Sequence, residues 1–336
     1  MPRLFHAQEQ MKTRIYRPTP VNLKRLATVL KGGDLVAVPT ETVYGLAADA
    51  TNQSACKKIF TAKNRPSEDP LIVHVHSLEQ AHGLAQWNET AHQLADRFWP
   101  GPLTLVLPKK ASVSDVITAG LDSVAIRMPS HPVFRSLLQT VKVPLAAPSA
   151  NPFGYMSPTS SAHVKSGLDG KIPAILEGGQ SAIGVESTIL DIRNGESPVL
   201  LRPGGVTSTE LRKILGGSLR LTKSVIPEGE AAIAPGMLKR HYSPKTSVTL
   251  YRSFPAELSE QEAWIHFHLR DSLQPLPTNQ CVLAPDNQGR TAANRLFSIL
   301  RAVDSGGYPR INIQLVPETD AWADTINDRL QRAAAR

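Results

Sequence analysis

The chain has 336 residues and a formal net charge of +8, with 41% hydrophobic, 20% charged and 5% aromatic residues. This globular composition supports a sizeable core and about two domains; no apolar run reaches the ~20 residues that cross a bilayer, and the first ten residues lack the apolar stretch of a secretory signal. Cys56 and Cys281 stand far apart with no Cys-x-x-Cys spacing, which excludes a disulfide framework and a zinc cluster and fits a reducing, cytoplasmic setting.

Residues 1–13 show no period and read as a loose arm. Residues 35–38 (Leu-Val-Ala-Val) read as a buried strand. The segment Pro39-Thr40-Glu41-Thr42-Val43-Tyr44-Gly45-Leu46 follows it. Strand ends of α/β sheets are where ligands bind, and Thr40 and Tyr44 offer hydroxyls there, with Gly45 permitting close approach. The same spacing also fits a capped strand-to-helix turn. A basic helical segment (Lys57, Lys58, Lys63) then runs into Lys63-Asn64-Arg65-Pro66, with Pro70-Leu71 close behind. A proline stops a helix and fixes where the side chains before it point. A lysine point charge and an arginine fork two residues apart can converge on one polyanion; a solvated helix end, where cations favour the dipole, is the plainer reading.

His74 and His76 alternate along the next apolar run and share a face, a polar sheet face or a pocket wall rather than a zinc site, which needs further ligands. Ser77 with Gln80 has capping-box spacing and predicts a helix start. Residues 90–99 predict a helix stopped by Pro100-Gly101-Pro102, residues 103–107 and 124–126 two strands, and residues 133–141 a helix. Arg127 leaves the second of these strands. A buried arginine needs an anionic partner, which a structural Asp or Glu can supply. Ala147-Pro148-Ser149-Ala150-Asn151-Pro152 is a rigid turn that exposes Ser149 and Asn151, and Ser157-Pro158-Thr159 lies just beyond it.

Residues 174–176, 187–192 and 199–201 predict three more strands. Ser187 stands at the head of one and Arg202 at the end of another. Thr207 and Glu210 form a capping box that opens a helix to about residue 215. One mixed α/β domain thus spans residues 14–217. Residues 218–246, rich in Pro, Gly and small residues, are longer than ordinary connections and read as a linker or lid. Within them Ala234-Pro235-Gly236-Met237-Leu238-Lys239-Arg240-His241-Tyr242-Ser243-Pro244 concentrates cations and a tyrosine. Residues 247–336 predict β-α-β-α-β-α, with the first helix at 257–269, hence a small parallel sheet with crossover helices.

Residues 247–336 hold nine arginines, no lysine and ten acidic residues, so the whole positive excess lies before residue 247. A basic domain poor in aromatics suits phosphates or a nucleic-acid backbone better than stacked bases. Two phosphate loops are missing: Gly170-Lys171 precedes Ile172 rather than Ser or Thr, and no Gly-x-Gly-x-x-Gly follows a strand. No Gly-x-Ser-x-Gly elbow surrounds Ser149 or Ser187, which argues against a serine nucleophile.

In this order, Pro39 to Leu46, Lys63 to Pro66 with Pro70-Leu71, Ser149-Ala150-Asn151, Glu186 to Asp191, Arg202-Pro203-Gly204 and Pro235 to Pro244 resemble the YrdC-like threonylcarbamoyl-AMP synthase family in its longer, two-domain form. The resemblance implies a YrdC-like twisted mixed sheet with helices, followed by a small Rossmann-like parallel α/β domain. It implies a nucleotidyltransferase that makes L-threonylcarbamoyl-AMP and pyrophosphate from L-threonine, bicarbonate and ATP, feeding N6-threonylcarbamoyladenosine formation on tRNA. By the same resemblance Lys63 and Arg65 hold the triphosphate, with Mg²⁺ carried on its oxygens and no dedicated protein ligand. Ser149, Asn151, Ser157 and Arg202 bind ATP, and Tyr242 closes over it. Thr40, Tyr44, His74, Arg127 and Ser187 shape the threonine and carbamate pocket. The downstream partner is the tRNA threonylcarbamoyl-transfer machinery, with RNA a candidate contact and no membrane involved. Ala234 and Leu238 depart from the family's linker pattern. A second reading is an RNA-binding module that uses the basic surface without catalysis. A third, a carbamoyl-transfer domain like those of hydrogenase-maturation proteins, is disfavoured because their cysteines are missing.

Overall fold

The computed structural model describes residues 11–222, 242–269 and 276–335. Their strands form an eleven-stranded mixed sheet and a four-stranded sheet. From one edge, the large sheet runs Arg14–Tyr16, Ala174–Leu176, Val36–Val38, Gly45–Asp49, Leu145–Ala146, Ile72–His74, Ser123–Arg127, Leu103–Pro108, Thr188–Asp191, Val199–Arg202 and Arg220–Leu221. The small sheet orders Ser247–Tyr251, Arg310–Gln314, Ala263–His266 and Gln280–Val282, all parallel.

Alternation along the central strands decides which face each residue serves. Leu71, Val73 and Val75 enter one core with Ile59 and Leu94, from the helices Gln53–Lys63 and Glu89–Phe98. Ile72 joins Val106, Ala125, Ile189 and Leu201 on the opposite face, and His74 shares its alternation. The helices Pro20–Lys31 and Pro132–Val141 bury Leu26, Leu30, Phe134 and Leu137 against Val36 and Val38. The third large cluster centres on the small sheet and the helices Gly289–Asp304 and Ala323–Ala334, and it takes in Val43, Met156, Val185 and Tyr242. The small domain is therefore packed onto the large one through a shared apolar seam.

The strands expected at 35–38, 103–107, 124–126, 174–176 and 199–201 all form within a residue or two. Thr207 and Glu210 make the full reciprocal capping box of the helix Ser208–Leu215. At Ser77 only half of the box exists. Ser77 caps Gln80, while the Gln80 side chain accepts from the His76 amide, so the helix is just Leu78–His82.

The helix expected at 257–269 is overturned. Ala263–His266 is a strand between two parallel neighbours, where Trp264, Ile265 and the following Phe267 suit a buried pleated surface better than a helix. The loose arm is corrected at its end: Thr13 is buried, donating to the Ile172 carbonyl at 2.6 Å and accepting from the Gly170 amide at 2.9 Å. The Pro39 to Leu46 turn leads into the strand Gly45–Asp49, not a helix.

Candidate active site

A cleft opens on the face of the large sheet that carries Ile72 and His74. Strand register builds it. Ile72–His74 and Ser123–Arg127 are parallel neighbours with His74 opposite Arg127, so both side chains arrive together. Leu145–Ala146 pairs with Ile72–His74 from the other side, and the chain then turns so that Ser149 bridges Gly45. Thr40, Arg65, His74, Arg127, Ser149, Ser187, Arg202 and Tyr242 all line this one cleft.

Lys63 supports the cleft from behind. In Gln53–Lys63 the buried residues Ala55, Ile59 and Lys63 recur every fourth position, so the lysine stands on the core stripe of its own helix. Asn64, left-handed at φ 56°, ends the helix before Pro66 is reached. The Lys63 ammonium donates to the carbonyls of Ser149, at 2.5 Å, and of Asn151. Asn151 does not face the cleft. Its amide nitrogen donates to the carbonyls of Pro152 and Tyr155, at 2.9 and 2.7 Å, closing the turn that presents Ser149. Burial and then the Arg65 charge push the Lys63 pKa well below the usual lysine value.

Each buried arginine is held by protein groups. Arg65 pairs with Asp69 at 2.8 Å and donates to the Pro70 carbonyl at 3.0 Å. Arg127 pairs with Glu41 at 2.6 Å and donates to Thr42 Oγ1 at 2.9 Å and the Gly101 carbonyl at 3.2 Å. Glu41 is thus the structural carboxylate that a buried strand-end arginine requires. Burial alone would raise the Glu41 pKa, but the Arg127 charge and hydrogen bond hold it below the usual carboxylate value. Arg202 donates to the Ser187 carbonyl at 2.9 Å and hydroxyl at 3.2 Å, and Ser187 also meets Thr104 Oγ1 at 2.8 Å.

His74 is 3% exposed, and its ring lies 5.5 Å from that of Phe134. Burial and then the Arg127 charge push its pKa down to about 3, so it is a neutral imidazole at neutral pH. The Thr40 hydroxyl donates to the Val43 carbonyl at 2.6 Å and accepts from the Thr42 and Val43 amides, which shapes the turn.

Tyr44 and Ser157 lie elsewhere than expected. The Tyr44 hydroxyl points away from the cleft, donating to the Gly179 carbonyl at 2.8 Å and accepting from the Gly178 amide. Ser157 donates to Glu186 beneath the cleft floor. Residues 223–241 of the expected linker or lid lie outside the described residues. Tyr242 itself is 1% exposed in the cleft wall, with its ring 5.7 Å from that of Phe297.

Sequence reasoning passed over Glu41, Thr42, Glu186 and Arg329. Glu186 pairs with Arg329 of the terminal helix at 2.7 Å. An acid between Val185 and the strand residues Ile189 and Leu190 was the available signal, because a buried carboxylate requires a cation. Gly204 lets the two segments meet: a Cβ there would fall 2.4 Å from the Glu186 carbonyl oxygen.

Among the described residues no three His, Cys, Asp or Glu side chains gather as a metal site. Glu41, Asp69 and Glu186 are each claimed by an arginine. Cations, hydroxyls and a neutral imidazole around one cleft can bind an anion and orient a second reactant without a protein nucleophile.

The Sua5, YciO and YrdC family, described as telomere recombination, matches residues 28–204, and the threonylcarbamoyl-AMP synthase C-terminal domain matches residues 206–335. The chain is a two-domain member of the threonylcarbamoyl-AMP synthase family. The synthase of Bacillus subtilis is 38% identical over 331 residues, 93% of this chain and 92% of that one. The synthase of Pyrococcus abyssi is 50% identical over 224 residues; that match spans 66% of this chain and 65% of the relative's length. The crystal structure of Pyrococcus abyssi Sua5 complexed with L-threonine superposes with a TM-score of 0.86 at 38% identity, covering 96% of this chain and 97% of that one. The mixed sheet followed by a small parallel sheet is thus an architecture shared with Pyrococcus abyssi Sua5. Among the described residues no helix is long and apolar enough to cross a membrane.

Proposed function

We propose that this chain makes L-threonylcarbamoyl-AMP and pyrophosphate from L-threonine, bicarbonate and ATP in the cytoplasm, and that the product supplies N6-threonylcarbamoyladenosine formation on tRNA. Family membership and the names of the relatives support the reaction class. The observation that carries the site assignment is the convergence of Arg65, Ser149, Ser187 and Arg202 on one cleft beside His74 and Arg127.

The chemistry suits such a cleft. The threonine amine adds to bicarbonate with loss of water, giving a carbamate. A carbamate oxygen then attacks the α-phosphorus of ATP in line, and pyrophosphate leaves. This step needs positioning and charge neutralisation more than covalent catalysis. Arg65, with Lys63 behind it, takes the triphosphate, and Mg²⁺ comes with the nucleotide. Ser149 and Arg202 hold the nucleotide, with Asn151 and Ser157 bracing them from beneath and Tyr242 walling the cleft. Thr40, Arg127, Ser187 and neutral His74 shape the threonine and carbamate side. Arg127 meets the threonine carboxylate with donors not spent on Glu41, Thr42 and Gly101, since a guanidinium has five. Tyr44 acts on this side only by fixing the turn at Gly178 and Gly179.

A binder that uses these cations on RNA is disfavoured by burial. Lys63, Arg65, Arg127 and Arg202 are 1%, 7%, 3% and 3% exposed, out of reach of a duplex backbone. Pyrophosphate release from ATP that requires both threonine and bicarbonate, with labelled bicarbonate carbon in the product by mass spectrometry, tests the proposal. RNA affinity without turnover would overturn it.

A further inference from the structure

Among the described residues, a buried arginine of the small domain reaches the segments that line the cleft. Arg329 lies on the helix Ala323–Ala334, and its side chain is 0% exposed. Its Nε is 2.7 Å from Glu186 Oε2, and its Nη2 donates to the Pro203 carbonyl at 2.9 Å. Its guanidinium carbon sits 5.0 Å from the centre of the Tyr242 ring. One turn earlier, Thr325 donates to the Gly204 carbonyl at 3.1 Å. Glu186 immediately precedes Ser187, and Pro203 immediately follows Arg202. One guanidinium thus grips both chain segments that bring hydroxyl and cation to the cleft.

Charge makes the grip more than mechanical. Glu186 lines the cleft and is buried. Arg329, itself also paired with Asp328, faces it from the terminal helix, Arg202 from its own strand, and Ser157 and Tyr242 from beside it. A bare carboxylate in that position would repel an anionic substrate and draw on the Arg202 charge.

We propose that Arg329 is a positioning residue of the synthase cleft, through which the C-terminal domain orients Ser187 and Arg202 and cancels the Glu186 charge where the nucleotide phosphates bind. This rests on the synthase reading above. Arg329 touches no reactant; it acts through Glu186 and Pro203.

The test compares Arg329→Met and Arg329→Lys in the full-length chain, each with and without Glu186→Gln, by threonine- and bicarbonate-dependent pyrophosphate release well below each variant's unfolding temperature. Arg329→Met should raise KM for ATP about 10- to 100-fold, the scale for losing an outer partner of a site, with a smaller change in KM for threonine. Without its cation Glu186 holds a proton to higher pH, so the defect should shrink as pH falls. Glu186→Gln, which keeps a hydrogen-bonding side chain but no charge, should relieve most of the defect. An equal defect at every pH that Glu186→Gln leaves untouched would overturn the charge role, and an unchanged KM for ATP would overturn the proposal entirely. If Arg329→Met does not fold, Arg329→Lys carries the test. It keeps the charge without the fork to Pro203, so KM for ATP should rise several-fold, and an unchanged KM overturns the proposal. Absence of turnover in the wild-type chain would instead sink the synthase reading.

Discussion

The Lys63 ammonium lies 2.5 Å from the carbonyl oxygen of Ser149, tying together two segments 86 residues apart. The lysine holds the loop that presents Ser149 while sitting next to Arg65. Lys63→Met keeps the bulk and removes the charge and both hydrogen bonds. Turnover should fall at least ~100-fold, the scale of one lost charge-stabilising contact. Steady-state pyrophosphate release measures it, and a near-normal rate would remove Lys63 from the phosphate site.

The same lysine predicts a proton linkage. Burial and then Arg65 hold its pKa well below the usual lysine value. A polyphosphate alongside favours the charged form. At pH values where Lys63 is partly neutral in the free protein, ATP binding should therefore draw protons into the cleft, and affinity should weaken as pH rises through the lysine's pKa in the complex. Calorimetry in buffers of different ionisation enthalpy reads the uptake directly. Binding heats independent of buffer across the whole pH range would show that the nucleotide charge does not act on Lys63.

Arg65 separates stability from activity. Arg65→Ala leaves Asp69 buried without its cation, a loss of ~3–5 kcal/mol for a broken buried pair. Replacing both, as Arg65→Met with Asp69→Leu, should recover most of that stability, because an apolar pair can fill the space. It should recover no activity, because the cleft still lacks the guanidinium. Chemical denaturation and pyrophosphate release on the same samples decide this. Activity in the double variant would make Arg65 purely structural.

How much of this was legible depends on distance along the chain. Thr207 with Glu210 could be read from local spacing, as could the long apolar strands, because both signals sit within a few residues. The strands Arg14–Tyr16 and Leu145–Ala146 are too short to show a period, and Gly45–Asp49 is mostly glycine and alanine. Residues 257–269 misled because polar positions before Trp264 imitate a helix face, and only the parallel neighbours make it a strand. At the site, Arg65, Ser149 and Arg202 stand out in their motifs, and the fold brings all three to one cleft. Tyr44 carries the same chemistry but points elsewhere, which spacing cannot reveal. Arg329 gives no local sign, since its partner Glu186 is 143 residues away.

His74 makes stability depend on pH. Its folded pKa is about 3 against 6.5 for the free side chain. Below pH 6.5 the unfolded chain takes up a proton that the folded chain refuses. The contribution is therefore whole above pH 6.5 and is lost as pH falls toward 3, by ~1.4 kcal/mol per pH unit at most. His74→Gln should lower the unfolding midpoint at pH 7 yet flatten its fall between pH 6.5 and 4. Thermal melts across that range test it, and an acid limb as steep as in the wild-type chain would show that His74 is not the group responsible.

Gly184 tests whether the two domains act as one body. It is left-handed, at φ 84°, and a Cβ there would fall 2.4 Å from the Asn294 carbonyl oxygen in the helix Gly289–Asp304. Beside it the Asn294 side chain donates to the Ser181 carbonyl at 2.9 Å. Backbone meets backbone here, so no side chain can swing aside. Gly184→Ala should cost ~1–3 kcal/mol through overpacking, with a further penalty for an alanine held at positive φ. Because the strain falls on the seam that carries Arg329 to Glu186, KM for ATP should rise with it. Scanning calorimetry should show a lowered or split transition, and kinetics on the same protein should show the weaker nucleotide affinity. A lowered midpoint with wild-type KM would mean that the cleft keeps its shape without close docking of the second domain.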